Sequence, residues 1–346
     1  MRYFSTFSGV GGFELGIKYA DRPNIRYGIT ILPEDSTNIE KREDRFTCVG
    51  LSEIDKYASA VLKYHFPNTT NYGDITKINW SAVPDFDLLV GGSPCQDFSV
   101  AGKRAGITGS RSSLAWEYIR GLHEKKPSYF IWENVKGVLS SNNGWDFANL
   151  LTAFSEAGYS LWWQVLNAKD FGVPQNRERV FVVGTRNGGS REILFERGTE
   201  SKNPKQIIGG SMGQRVYAEE GIGVALKANG GGQGAKSMLV ARAVITPDRI
   251  EKRQNGRRMK EDGEPAFTLN AQDRHGIYNG SRIRRLTLTE CERLMSWADD
   301  WTKYGDFNGE IKEISDSQRY KMCGNGVVSK VVEEIIKEHL LCSTPS

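Results

Sequence analysis

The sequence predicts an α/β fold: a mostly parallel sheet with helices on both faces, joined to a small irregular β-rich domain. Three observations carry this. Short apolar runs alternate with helical patterns through the first 186 residues, as strands joined by crossover helices do. From 187 to 283 that alternation stops, and glycine and polar residues take over. Charge divides at the same place: residues 186–286 hold 19 Lys and Arg against 11 Asp and Glu, leaving 27 against 31 elsewhere in a chain of net charge +4.

The elements follow in order. "YFSTF" is a strand running into a glycine turn, and "FELGIKYA" is the helix behind it. Residues 21–45 read as a polar insertion. "FTCVGLS" is the second strand, and in "DKYASAVLKYHF" Ala58, Val61, Leu62 and His65 recur at helical spacing. "GDIT" ends the next candidate strand. "FDLLV" and "YFIWENV" are strands flanking the helical "SSLAWEYIRGLHE". "WDFANLLTAFSEAG" is a helix closed by glycine, followed by the strands "YSLWWQVL" and "RVFVVGT". The irregular region holds an internal echo, "GVALKANGGGQGAK" at 223–236 against "PAFTLNAQDRHGIY" at 265–278. "LTLTECERLMSW" and "SKVVEEIIKEHLL" return to helix. The expected division is a large domain over 1–186, a small domain over 187–283, a connecting helix region over 284–316, and a segment over 317–346 that returns to the large domain.

Composition narrows the class. With 38% hydrophobic and 25% charged residues the chain reads as a soluble globular protein. No apolar run approaches the roughly 20 residues of a membrane span, and "MRYFSTFSGVGG" lacks the apolar region of a signal peptide, so a cytoplasmic location is expected. The five cysteines (48, 95, 291, 323, 342) form no CxxC pair and there are four histidines, so neither a metal site nor a disulfide framework is expected. A basic block beside a slightly acidic body reads either as a polyanion-binding module or as solvated basic loops.

Candidate chemistry gathers at the predicted strand ends. Gly9, Gly11 and Gly12 in "FSGVGGFELG" allow a tight turn and close approach of a ligand to the backbone, but the spacing is not GxGxxG, and a plain strand–helix turn uses the same residues. Glu53 closes the second strand, where a carboxylate can take both hydroxyls of a ribose, and Asp74 closes the next, where it can accept from an adenine amino group. Taken singly, each reads first as a surface residue or helix cap; at successive strand ends the ligand reading gains ground. No phosphate-binding lysine loop accompanies them, which favours a nucleoside without a phosphate chain, such as S-adenosyl-L-methionine.

Cys48, Cys291 and Cys323 read as small buried hydrophobes. Cys95 differs: in "GGSPCQDFS" it follows a rigid strand-end turn and precedes a polar, glycine-punctuated stretch, which suits a nucleophile presented to a cleft. Glu133 follows "YFIW" and should emerge at the same sheet edge, where partial burial raises a carboxyl pKa. Arg177 and Arg179 alternate in "PQNRERV" and, in an extended segment, share a face. Each of these alone is compatible with an ordinary salt bridge.

The ordered set FSGVGG, GSPCQDFS, ENVKG, QNRERV, "RRLTLTECERLM" and GNGV resembles the DNA (cytosine-5) methyltransferase family, of the bacterial or phage restriction-modification type, over nearly the whole chain outside 187–283. The resemblance implies the fold of S-adenosylmethionine-dependent methyltransferases. It assigns Cys95 to add covalently to carbon 6 of a flipped cytosine, Glu133 to hydrogen-bond the ring nitrogen and amino group, and Arg179, supported by Arg177, to bind the carbonyl oxygen. Cofactor positions carried over are Phe7, Gly9, Gly11, Gly12, Glu53, Ile54, Asp74, Ile75, Pro94, Leu114 and Asn325. Ser99 and Arg111 match positions that contact target phosphates, and Lys103 and Arg104 add charge beside them. The small domain corresponds to the target-recognition domain, with Arg215 matching a guanine-reading arginine and Gly230, Gly231 and Gly232 a backbone-approach loop. The family's Thr-Leu pair is absent from the first echo, which reads Ala225-Leu226, and present in the second as Thr268-Leu269. Gly326 stands where many members have serine. The partner implied is double-stranded DNA, met by a monomer that associates with the nucleoid when bound; a cognate restriction endonuclease is a candidate companion. The alternatives are an RNA cytosine methyltransferase and a catalytically inactive DNA-binding paralogue.

Overall fold

The computed structural model describes residues 1–22, 25–26, 29–30, 44–94, 114–186, 206–208, 216–217, 242–246, 257–261, 263–278 and 283–341. The chain opens with β1 (Arg2–Thr6), α1 (Gly12–Asp21) and the short pair β2 (Ile25–Arg26) and β3 (Ile29–Thr30). Then come β4 (Thr47–Ser52), α2 (Lys56–His65), β5 (Leu88–Gly91), α3 (Leu114–Lys125), β6 (Tyr129–Val135), α4 (Trp145–Glu156), β7 (Ser160–Asn167) and β8 (Glu178–Thr185). β9 (Gln206–Ile208) pairs with β10 (Val216–Tyr217), and β11 (Arg242–Ile245), β12 (His275–Tyr278) and β13 (Ile283–Arg285) make a three-stranded sheet. α5 (Leu288–Leu294), the hairpin β14 (Tyr304–Phe307) and β15 (Glu310–Glu313), α6 (Asp316–Asn325) and α7 (Ser329–Ile336) complete it.

One six-stranded sheet, in the order β4-β1-β5-β6-β8-β7, dominates. The β4–β1, β1–β5 and β5–β6 pairs are parallel, as expected of strands joined by helical crossovers. β8 is antiparallel to both neighbours. The reason lies in the connection: fewer than a dozen residues separate β7 from β8, too few for a crossover helix.

Both faces of the sheet are buried, so alternate side chains enter two different cores. Phe130, Trp132, Val180 and Val182 pack with Leu89, Tyr118 and Phe154 on one face. Ile131, Phe181 and Val183 pack with Leu88, Val90, Ile17 and Val332 on the other. On that second face α7 lies against α1. A Cβ on Gly16 would fall 2.5 Å from Val332 Cβ, and the Ser329 hydroxyl donates to the Gly12 carbonyl at 2.8 Å.

"GDIT" is not the end of a strand. Leu51 and Asn71 form an isolated parallel bridge, and Gly73 then turns with φ +68°. The Asp74 carboxylate accepts from Thr76 N–H at 3.0 Å and from its hydroxyl at 2.8 Å, capping a single 3-10 turn over Ile75–Lys77. A short acid that bonds its own backbone two residues on competes with strand pairing, which explains the difference.

α5 and α6 are held together by a buried ionic cluster. Glu292 is fully buried and accepts from Thr302 N–H at 2.9 Å, Asp300 N–H at 2.8 Å and Arg319 at 3.0 Å. Arg319→Met is expected to destabilise the protein by about 3 kcal/mol in urea unfolding, because it strands a buried carboxylate. An unchanged midpoint would show that the cluster contributes nothing.

No described helix is long and apolar enough to cross a membrane. No group of three or more His, Cys, Asp or Glu among the described residues could hold a metal ion.

Candidate active site

The carboxyl ends of β1, β4, β5 and β6 converge on one edge of the sheet. After β1 the chain turns through Phe7, at φ 51°, and Gly9, at φ 56°. Nothing lies within 4 Å of the point a Gly9 Cβ would occupy, so this turn faces open space. Gly11 enters α1 at φ 91°. Gly12 is needed for packing: a Cβ there would meet Val327 Cγ1 at 2.7 Å and its carbonyl at 2.9 Å.

Glu53 leaves the end of β4 toward this turn. Its carboxylate accepts from Gly9 N–H and Asp55 N–H, both at 2.8 Å. Burial raises its pKa, and the two backbone donors oppose the rise. Asn71 fixes the Glu53 backbone from both sides, at 3.0 and 3.1 Å. Beside it Ile54 is 73% exposed, a large apolar side chain without cover. Asp74 stands nearby, since Ser52 donates to the Gly73 carbonyl at 2.7 Å. Ile75 is buried in the core instead, and Asn325, the last residue of α6, is exposed. Leu114 begins α3. An acid beside an open glycine turn, followed by an uncovered isoleucine and a second half-exposed acid, suits the ribose and adenine of S-adenosyl-L-methionine.

At the ends of β5 and β6 the backbones nearly touch. A Cβ on Gly92 would lie 2.7 Å from Glu133 Oε2 and 2.8 Å from the Glu133 carbonyl, so only glycine allows this approach. Buried Asn134 locks the contact by donating to the Ser93 carbonyl at 2.9 Å. Pro94 follows and is exposed. Cys95, Ser99, Lys103, Arg104 and Arg111 lie outside the described residues, as do Arg215 and Gly230, Gly231 and Gly232 with the first echo.

Glu133 Oε1 pairs with Arg179 Nε at 3.0 Å; both side chains are about 15% exposed. Burial pushes the Glu133 pKa up, while Arg179 and then Arg177 pull it back. The two arginines diverge from there. Arg179 lies in β8 and faces Glu133, whereas Arg177 precedes the strand and turns away from any open face. Its guanidinium donates to the carbonyls of Leu269 and Gly326, each at 2.6 Å, and of Gly324 at 3.1 Å. Burial, then repulsion from Arg179, lowers its pKa to about 9. Arg177 therefore ties the QNRER segment to the end of α6, where Asn325 sits.

The second echo is held in the same knot. Ala266 pairs with Gln175, Leu269 N–H donates to the Gln175 side chain at 3.0 Å, and the Thr268 hydroxyl donates to the Asn176 carbonyl. A Cβ on Gly324 would fall 2.3 Å from Asn270 C and Ala271 N, so α6 ends hard against this strap. Gln175 and Asn134 were legible only as letters within quoted motifs; their roles depend on contacts across the fold. Trp301, which donates to the Val10 carbonyl at 2.7 Å while stacking 3.5 Å from His65, carried no sequence signal. Cys48 and Cys291 are pushed up to about 12 by burial, and Cys323 well above its usual value.

Comparison with known proteins agrees with this geometry. Residues 1–340 match the family described as C-5 cytosine-specific DNA methylase. The chain is 32% identical to the orphan methyltransferase M.SPRI of Bacillus phage SPR, covering 98% of this chain and 97% of that protein. It is 28% identical to the type II methyltransferase M.HhaI of Haemophilus parahaemolyticus, covering 97% and 93%. In fold it resembles the Dnmt2 methyltransferase of S. pombe, with TM-score 0.61 at 14% identity over 99% and 98% of the two chains. With the family matched across the sheet, the glycine turn and the paired Glu133 and Arg179, the chain belongs to the C-5 cytosine-specific DNA methylases.

Proposed function

We propose that this protein methylates carbon 5 of cytosine in double-stranded DNA with S-adenosyl-L-methionine as donor. The observation that carries the reading is the half-buried Glu133–Arg179 pair, set against the Gly92-Ser93-Pro94 turn that leads directly into Cys95. The cofactor would be held by the Gly9–Gly12 turn, Glu53, Ile54, Asp74 and the Asn325 loop; when bound, it supplies an electrophilic methyl group on a sulfonium sulfur.

The residues divide the remaining work. A cytosine inside a duplex is out of reach, so the base is extruded from the stack toward Glu133 and Arg179. The Cys95 thiolate forms a bond to carbon 6, and the ring's displaced electron pair makes carbon 5 nucleophilic. Glu133 hydrogen-bonds nitrogen 3 and the amino group; burial favours its protonated form, so it can neutralise charge as the thiolate adds. Arg179 meets the carbonyl oxygen, where negative charge develops. Arg177 supports it by fixing the strap and the end of α6 that carries Asn325. After methylation, loss of the carbon 5 proton expels the Cys95 thiolate and restores the ring.

Purified protein offered duplex DNA and transfer RNA with labelled cofactor should label carbon 5 of cytosine in the DNA. Label in transfer RNA alone would overturn the reading.

A further inference from the structure

Gly326 stands where serine is common in the family, yet its backbone does not require glycine. Its φ of −77° is open to any residue. What bars a side chain there is Trp297: a Cβ on Gly326 would fall 2.4 Å from Cζ2 and 2.6 Å from Cη2 of the indole. The ring is fully buried, and its backbone N–H donates to the Glu292 carbonyl at 2.9 Å. A large rigid ring in a close-packed interior does not swing aside without disturbing its neighbours. The Gly326 segment is fixed as well. Arg177 donates to the Gly326 carbonyl at 2.6 Å. Three residues on, the Ser329 N–H donates to the Met295 carbonyl at 3.1 Å and its hydroxyl to the Gly12 carbonyl at 2.8 Å.

The same edge of the indole meets the glycine turn. Trp297 Nε1 lies 3.5 Å from where a Gly12 Cβ would stand, and Val327, next after Gly326, closes on that point with Cγ1 at 2.7 Å. One side chain therefore underlies both Gly12 and the Asn325-Gly326 end of α6, two segments from opposite ends of the chain. Nε1 finds no hydrogen-bond partner among the described residues, so what the tryptophan contributes here is volume.

We propose that Trp297 and Gly326 are a size-matched pair: the indole fills the space a side chain at 326 would need, and so sets where Asn325 stands against the glycine turn that holds the cofactor. The inference rests on the cofactor reading above. Trp297 is a positioning residue and touches no reacting atom. The serine common in the family needs room that this chain has given to the indole, so serine fits at 326 only beside a smaller ring at 297.

Calorimetric titration of the full chain with S-adenosyl-L-methionine, beside thermal midpoints of the free protein, tests this in the wild type, Gly326→Ser, Trp297→Phe and the double variant. Gly326→Ser overpacks the contact and should weaken cofactor binding about tenfold or more. Trp297→Phe breaks no hydrogen bond of the ring and leaves a small void, so it should weaken binding by no more than about threefold. The double variant should return to within about threefold of the wild type, because the serine occupies the vacated space; that rescue is the signature of a coupled pair. In turnover the loss in Gly326→Ser should fall on KM for the cofactor, with kcat at saturation nearly kept. Should Gly326→Ser fail to fold, recovery of folded, cofactor-binding protein in the double variant carries the same result. Additive losses, or a Gly326→Ser that binds as tightly as the wild type, would overturn the pairing and leave the cofactor reading intact. Rescue of the thermal midpoint without rescue of affinity would confine the pair to stability and overturn its role at the cofactor site. A wild-type protein that does not bind S-adenosyl-L-methionine would remove the cofactor reading and the inference with it.

Discussion

Duplex DNA carrying 5-fluorocytosine is expected to trap the protein in a complex that survives denaturation, and Cys95→Ala to give none. Fluorine at carbon 5 cannot leave as a proton does, so the bond between the thiolate and carbon 6 persists after methyl transfer. Removing the nucleophile should lower turnover by more than ~10³-fold. Duplex affinity in a gel shift should stay within a fewfold, because the alanine loses a reacting atom and no phosphate contact. The described cysteines offer no substitute: Cys291 and Cys323 are buried, and burial holds all three described thiols protonated. An adduct in the variant would move the chemistry to another residue and sink the assignment of Cys95.

Glu133→Gln should lower kcat by about 10²–10³-fold with little change in DNA affinity. Glutamine has the volume of glutamate, which matters because the Gly92 backbone leaves no slack around this side chain. It can still donate a hydrogen bond, but it cannot hand over a proton as the thiolate adds. Single-turnover rates would separate the loss from product release. An Arg179→Ala variant should lose a comparable factor for a different reason, since it removes the positive charge proposed to meet the carbonyl oxygen and leaves half-buried Glu133 without its partner. If Glu133→Gln turned over at the wild-type rate, proton donation by this carboxyl would be excluded.

Much of this was legible in the residues. The strands "YFSTF", "FTCVGLS", "FDLLV" and "YFIWENV" fold as β1, β4, β5 and β6, because apolar runs bounded by turn residues satisfy a sheet buried on both faces. Helices α1 to α5 and α7 follow their apolar spacing. α6 and the hairpin β14–β15 escaped notice. "DSQRYKMCGN" has no apolar stripe, and it is held by Arg319 to Glu292 and by Lys321 Nζ to Asp55 at 2.8 Å. β15 is exposed along its length, and the hairpin depends on Gly305 packing against Ala60 of α2. The strand expected at "GDIT" failed because Asp74 bonds its own turn.

The sequence by itself determined the family, the order of motifs along the chain and the sheet that presents them, because those depend on local patterning and on residue types few other chemistries require. Only the tertiary structure separated two arginines two residues apart, one facing Glu133 and the other clamping Leu269, Gly324 and Gly326. It likewise placed the second echo against the QNRER segment. Spacing along a chain sets which way a side chain leaves the backbone. What it meets there depends on segments distant along the chain, and that meeting decides whether a charge is a clamp or stands free to act.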